Sequence, residues 1–178
     1  MIDHIVPFYS QFSKDNPKIW RYRGCGITAL KMIFDYWQKI DKKFESPKVE
    51  EILKTGLQLN AYIEKVGWSH KGLVEISRKF GYDGCNYDLA QTDVKEAYQA
   101  LINDLNKFPI LASVWNFRPN SKDGHVVVLT GISENIAHMN DPKEKNELNG
   151  YKKISLDSFL KSWKKRYIAI FPQSLLPE

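Results

Sequence analysis

The sequence predicts an α+β fold in which helices come first and an antiparallel sheet follows, and three observations lead there. Trp20 to Trp37, WRYRGCGITALKMIFDYW, reads as a turn feeding a mostly buried helix. Thr28, Lys31, Asp35 and Gln38 fall at helical spacing, and Ile27, Leu30, Met32, Ile33, Phe34, Tyr36 and Trp37 fill most of the remaining circumference. Such a helix belongs in the middle of a domain. Before Phe108 the apolar spacing is helical, whereas beyond it β-branched runs alternate with turn residues. Finally, 178 residues suit one domain spanning 1–178, and a chain of that size buries roughly two-thirds of its unfolded surface without staples.

Taken in order, Ile5 to Gln11 (IVPFYSQ) reads as a short extended segment held by Pro7, and Asp15 to Pro17 as a polar loop. The Cys25 helix ends near Ile40. Ser46-Pro47 supplies an N-cap and a first-turn proline for VEEILKT, stopped by Gly56. A third helix runs from about His70 to Phe80 and is closed by Gly81. Thr92 opens a fourth, with Ala97, Leu101, Leu105 and Phe108 on one face. PILASVW, GHVVVLTGI and NIAHMND then form an antiparallel meander. Ser155 caps a short helix, LDSFLKSWK, and Tyr167 to Phe171 gives a last strand stopped by Pro172.

Composition removes several classes of function. A net charge of +5 and a pI near 9.0 permit an acidic partner without demanding one, because Lys and Arg are spread along the chain. The one dense cluster, Lys161, Lys164, Lys165 and Arg166 around Trp163, reads as a solvated helix end. No Walker loop, dinucleotide fingerprint, zinc-finger spacing or HExxH motif occurs, so nucleotide, nucleic-acid, metal and cofactor chemistry are not expected. No apolar run approaches ~20 residues, and MIDHIVPFYSQ lacks the build of a signal peptide. As written the chain reads as cytoplasmic; a signal sequence already removed would make it secreted.

Chemistry gathers at Cys25. Flanking Gly24 and Gly26 let the backbone turn and let another group approach the sulfur. The partial positive charge of a helix N-terminus stabilises a thiolate, making Cys25 a candidate nucleophile. His125 heads the most strand-like segment and is the candidate base and acid. Asp141, sixteen residues on, ends the next strand and is the candidate orienter of the imidazole, with Asn140 as a rival and a plain turn-forming role as the bland alternative. Gln11 offers a side-chain N–H for an oxyanion, beside the backbone N–H of Cys25. Trp115, Asn116, Phe117 and Arg118 precede His125 and are candidates to line the cleft. His4, His70 and His138 read as surface or structural residues, a metal site of His125, His138 and Asp141 has no supporting spacing, and Cys85 reads as a small buried residue.

VPFYSQ, W-x-x-x-GCGITALKMI, GHVVVLTGI, I-x-x-x-NDP, F-x-x-x-W and a closing I-x-I-x-P, in that order, resemble the stand-alone, papain-like cysteine peptidases related to bacteriocin-processing double-glycine peptidases. The resemblance runs from about Ile5 to Pro172. It implies Cys25 as nucleophile, His125 as base and acid, Asp141 as orienter and Gln11 as oxyanion donor. It also implies a papain-like fold, a peptide or protein substrate and no cofactor. Transporter-fused relatives carry the Gln only a few residues before the Cys; here fourteen positions separate them, as the stand-alone branch tolerates. The same residues would equally serve an amidase, deamidase or transglutaminase-type transferase, and a papain-like binding module is the non-enzymatic alternative.

Overall fold

The computed structural model describes residues 3–117 and 123–175. The central helix, α1 (Cys25–Ile40), begins at the cysteine and buries Ile27, Leu30, Ile33 and Phe34 completely or nearly so. Its amphipathic complement is small: Lys31 and Asp35 pair across one turn at 2.7 Å, and Lys31 also donates to the Ser46 hydroxyl at 2.9 Å. Ser46 is thereby engaged with α1 and is not the cap of the next helix. That helix, α2 (Val49–Gln58), is capped at Lys48, whose backbone N–H donates to Glu51 at 2.7 Å. It also runs through Gly56 rather than stopping there. A Cβ at 56 would lie 2.7 Å from the Trp68 ring, so this glycine serves close packing, and the chain turns only at Asn60, with φ 52°.

A short hairpin follows, β1 (Tyr62–Ile63) with β2 (Gly67–Trp68), and then α3 (His70–Arg78), where Ser69 accepts from the Gly72 N–H. The remaining elements are β3 (Tyr82–Asp88), α4 (Val94–Leu105), β4 (Ile110–Trp115), β5 (Gly124–Ser133), β6 (Ile136–Asn140), α5 (Glu147–Gly150), β7 (Tyr151–Ser155), α6 (Leu156–Ser162) and β8 (Trp163–Pro172). Six strands form one antiparallel sheet in the order β3-β8-β4-β5-β6-β7.

The sheet is covered on both faces, which explains why its central strands read as unbroken apolar runs rather than alternating ones. Leu111, Val126, Val128, Ile168 and Ile170 join the core beneath α1, α2 and α3. Their sequence neighbours Ala112, Val127, Leu129, Tyr167 and Ala169 join a second core with α4 and α6. Trp37 ties α1 to the sheet by donating its indole N–H to the Ile170 carbonyl at 3.0 Å.

Three expectations need correction. GYDGCNY is a strand, β3, at the edge of the sheet, and Cys85 on it is exposed. Tyr151–Ser155 is a further strand. The basic cluster is a helix end only at Lys161, in the last turn of α6; α6 stops at Ser162, and Trp163, Lys164, Lys165 and Arg166 belong to β8. Ile5 to Gln11 lies outside the sheet, and the Asn140 side chain holds it by donating to the Val6 and Pro7 carbonyls at 3.0 and 3.2 Å.

Candidate active site

Three elements converge on one point. Cys25 is the first residue of α1, His125 the second of β5, and Asp141 the residue after β6. Gly24 occupies the N-cap and lends no side chain, so the helix entrance keeps its N–H groups for the sulfur. His125 Nε2 lies 2.6 Å from Asp141 Oδ1, with both side chains buried. The imidazole also stands beside the sulfur: each side chain shifts the other's ionisation, both line one cleft, and Cys25 is partly exposed.

Asp141 also does what a turn residue does, since Oδ1 accepts the Lys143 N–H at 2.9 Å. Its second oxygen, Oδ2, accepts from Lys152 Nζ at 2.6 Å, and the same ammonium reaches Glu144 at 2.6 Å. Asn140, the rival orienter, spends its amide on the N-terminal segment.

Electrostatics follows from this packing. Burial pushes the Cys25 thiol up, but the hydrogen bond and charge of His125, with the N–H groups of Val126 and Gly26, outweigh it and leave the thiol below its ordinary value. Burial pushes His125 down, yet Asp141 and the sulfur together carry it up to about 9. The Asp141 carboxyl, raised by burial, is held well below the usual carboxylate range by His125 and Lys152. The arrangement stabilises a thiolate beside an imidazolium.

Gln11 is buried and lies against the helix entrance. Its Cβ is 3.7 Å from where a Cβ on Gly24 would stand, and its backbone N–H donates to the Pro142 carbonyl at 2.7 Å. Its amide N–H₂ donates to the Arg21 carbonyl at 2.7 Å rather than toward Cys25.

Cys25 and His125 open onto a cleft of about 650 Å³. The helical half contributes Tyr22, Arg23 and the β1–β2 hairpin, anchored where the Trp68 indole donates to the Arg23 carbonyl at 2.8 Å. The sheet contributes Asn86, Ser113, Lys164 and Arg166. Trp115, Asn116 and Phe117 are not among the residues that line the cleft; Trp115 is 44% exposed, with Lys164 Nζ 3.8 Å from its ring centroid. Asn116 closes the backbone onto Asp123, Phe117 packs near Lys152, and Arg118 lies outside the described residues.

The Peptidase_C39 like family model matches residues 4–169. The chain belongs to the C39-like peptidase family. No relative was found among curated proteins. Among solved structures, this C39-like chain resembles the double-glycine-motif protease of an AMS/PCAT transporter in complex with its leader peptide, at 21% identity, covering 96% of this chain and 94% of that one, with a TM-score of 0.61. A C39-like peptidase from Bacillus anthracis matches at 16% identity, 97% of both chains and TM-score 0.62. The peptidase domain of Streptococcus ComA matches at 19%, 85% and 93% coverage, and 0.62. The fold is the papain-like fold of these C39 peptidases, and the family membership places the chain among peptidases.

Sequence reasoning missed Lys152, Lys164, Arg166 and His70 around this C39-like site. His70 lines the cleft instead of being a plain surface residue, whereas His4, bonded to the Leu105 carbonyl at 2.7 Å, and His138, bonded to Asp3 and Ser133 at 3.0 and 2.9 Å, are structural. Nothing in YKKIS singles out Lys152. For Lys164 a signal existed: β-type residues resume right after the basic run, so the run itself sits in a strand.

Proposed function

We propose that this protein is a cysteine peptidase in which Cys25 is the nucleophile, His125 the general base and acid, Asp141 the orienter of the imidazole, and Gln11 with the Cys25 N–H the oxyanion donors. The observation that carries this reading is the position of His125, which lines the same cleft as the Cys25 sulfur and holds Asp141 at 2.6 Å. The thiolate attacks a peptide carbonyl, forming an S–C bond, and negative charge collects on the carbonyl oxygen. The Gln11 amide keeps a second N–H beyond the one given to Arg21, which suits it to that oxygen. Collapse of the adduct breaks the C–N bond as His125 gives its proton to the leaving amine. Water, deprotonated by the now neutral imidazole, then cleaves the thioester and releases the second product.

Lys152 is a positioning residue here: by gripping Oδ2 of Asp141 it keeps Oδ1 aimed at His125. A peptide substrate fits the open cleft, and one structural neighbour is a peptidase bound to a leader peptide.

The test is hydrolysis of a peptide library, read by mass spectrometry, with wild type, Cys25→Ala and His125→Ala. Chain cleavage by wild type alone is expected. A one-unit mass gain or a cross-link instead of cleavage would replace the peptidase by a deamidase or a transferase, and undiminished turnover by either variant would overturn the assignment.

A further inference from the structure

The last strand is interrupted at the cleft. β8 pairs with β4 through Arg166 opposite Ser113, but the next β4 residue, Val114, meets Trp163. Lys164 and Lys165 are therefore looped out of the ladder, and Lys165 takes φ 53°, a left-handed conformation unusual for a side chain of its size. The loop is held firmly: the Trp163 indole donates to the Arg166 carbonyl at 3.0 Å, the Leu89 N–H donates to the Lys165 carbonyl at 2.9 Å, and Lys165 Nζ reaches the Thr92 carbonyl at 2.6 Å. Bulges that re-aim a side chain are common beside active sites, and backbone strain of this kind persists only where its surroundings enforce it.

The side chain re-aimed here is Lys164. Its ammonium lies over the Trp115 ring and against Gly124, the residue before His125; a Cβ at 124 would come within 2.8 Å of Nζ. A side chain at 124 would displace the ammonium from this position. Of its two basic neighbours, Lys165 donates to the Thr92 carbonyl and Arg166 forms an exposed ion pair with Asp88 at 2.9 Å, whereas no carboxylate among the described residues pairs with Lys164. An aromatic face engages only part of an ammonium's three N–H donors. Lys164 is partly buried, which disfavours its charge, and an arriving anion offsets that cost. The positive field of this wall is felt by His70, which burial and then Arg166 and Lys164 push below its ordinary value.

We propose that Lys164 selects substrates carrying a carboxylate side chain close to the bond being cut. This rests on the peptidase reading for the bond, but not for the binding. The discriminating experiment measures binding of short synthetic peptides, each with a single Glu or its neutral isostere Gln stepped through the sequence, to the Cys25→Ala protein by calorimetry. A second arm measures wild-type cleavage of the same set. At one position Glu should bind more tightly than Gln by about tenfold, a preference that weakens with salt. Lys164→Gln in the Cys25→Ala background should bring the ratio near unity, and Lys164→Glu should invert it. Equal affinity for Glu and Gln at every position, or a preference that survives Lys164→Gln, overturns the proposal even if peptides are cleaved. A Lys164-dependent preference with no cleavage by wild type sustains it and removes the peptidase reading instead.

Discussion

Two thiols stand on opposite sides of this molecule's logic. Cys85 is exposed, in the middle of an edge strand, paired through the ladder with Ala169. Cys25 is only partly exposed, yet it sits at an uncapped helix entrance against an imidazole that a carboxylate steadies. Ranked by access, Cys85 comes first; ranked by surroundings, Cys25 does. Reactivity depends on the thiolate, so surroundings decide.

The sharpest break in that comparison is substitution. Cys25→Ala should lower kcat/KM on a cleaved peptide by ~10⁴-fold or more, while Cys85→Ala should leave it within about twofold. Equal losses would mean that the wrong thiol has been chosen. Asp141→Ala comes next, with an expected loss of ~10³-fold, because the ring loses the acceptor that fixes its tautomer; circular dichroism should show the fold intact.

Alkylation tests the contrast without a substrate. At mildly acidic pH, where an ordinary thiol with a pKa near ~8.5 is almost wholly protonated, iodoacetamide should modify Cys25 about 10²-fold faster than Cys85, read by peptide mapping. Raising the pH should narrow the gap. Slow, equal labelling would favour the non-catalytic binding module.

The pH profile sharpens the same point. Activity needs Cys25 deprotonated and His125 protonated, so kcat/KM should rise through a value below the ordinary thiol range and fall as His125 releases its proton near pH 9. The smallest effect belongs to the outermost link. Lys152→Met should cost ~1–3 kcal/mol of stability at neutral pH by leaving Oδ2 of the Asp141 carboxylate without its partner. Because the Asp141 carboxyl is depressed in the fold, its stabilisation is present above the ordinary carboxylate value and fades as pH falls below it. The deficit of the variant in denaturant melts should therefore shrink below about pH 4.

Much of this was legible beforehand. The start of α1 at Cys25 followed from glycines next to a helical apolar pattern, and β5 from a run of β-branched residues. The pairing of Asp141 with His125 was reachable because one hairpin connects them. What stayed hidden depends on partners distant in sequence. β3 contains Gly, Asp and Asn, weak strand formers, and exists because β8 supplies a ladder for all seven of its residues. Gly56 looked like a stop because close packing against Trp68 leaves no local mark. Lys152 lies in β7, opposite Met139, and only that register brings it to Asp141.

The two-residue loop in β8 constrains how relatives of this chain can diverge. Beyond it the strand is locked between β3 and β4 with one face under α1 and the other under α4, so inserting or deleting a single residue there would turn Ile168 and Ile170 to the wrong core. Changing the side chain at 164 disturbs none of that. Lineages can thus retune what enters the cleft by exchanging one residue, while the chain length at that spot stays frozen.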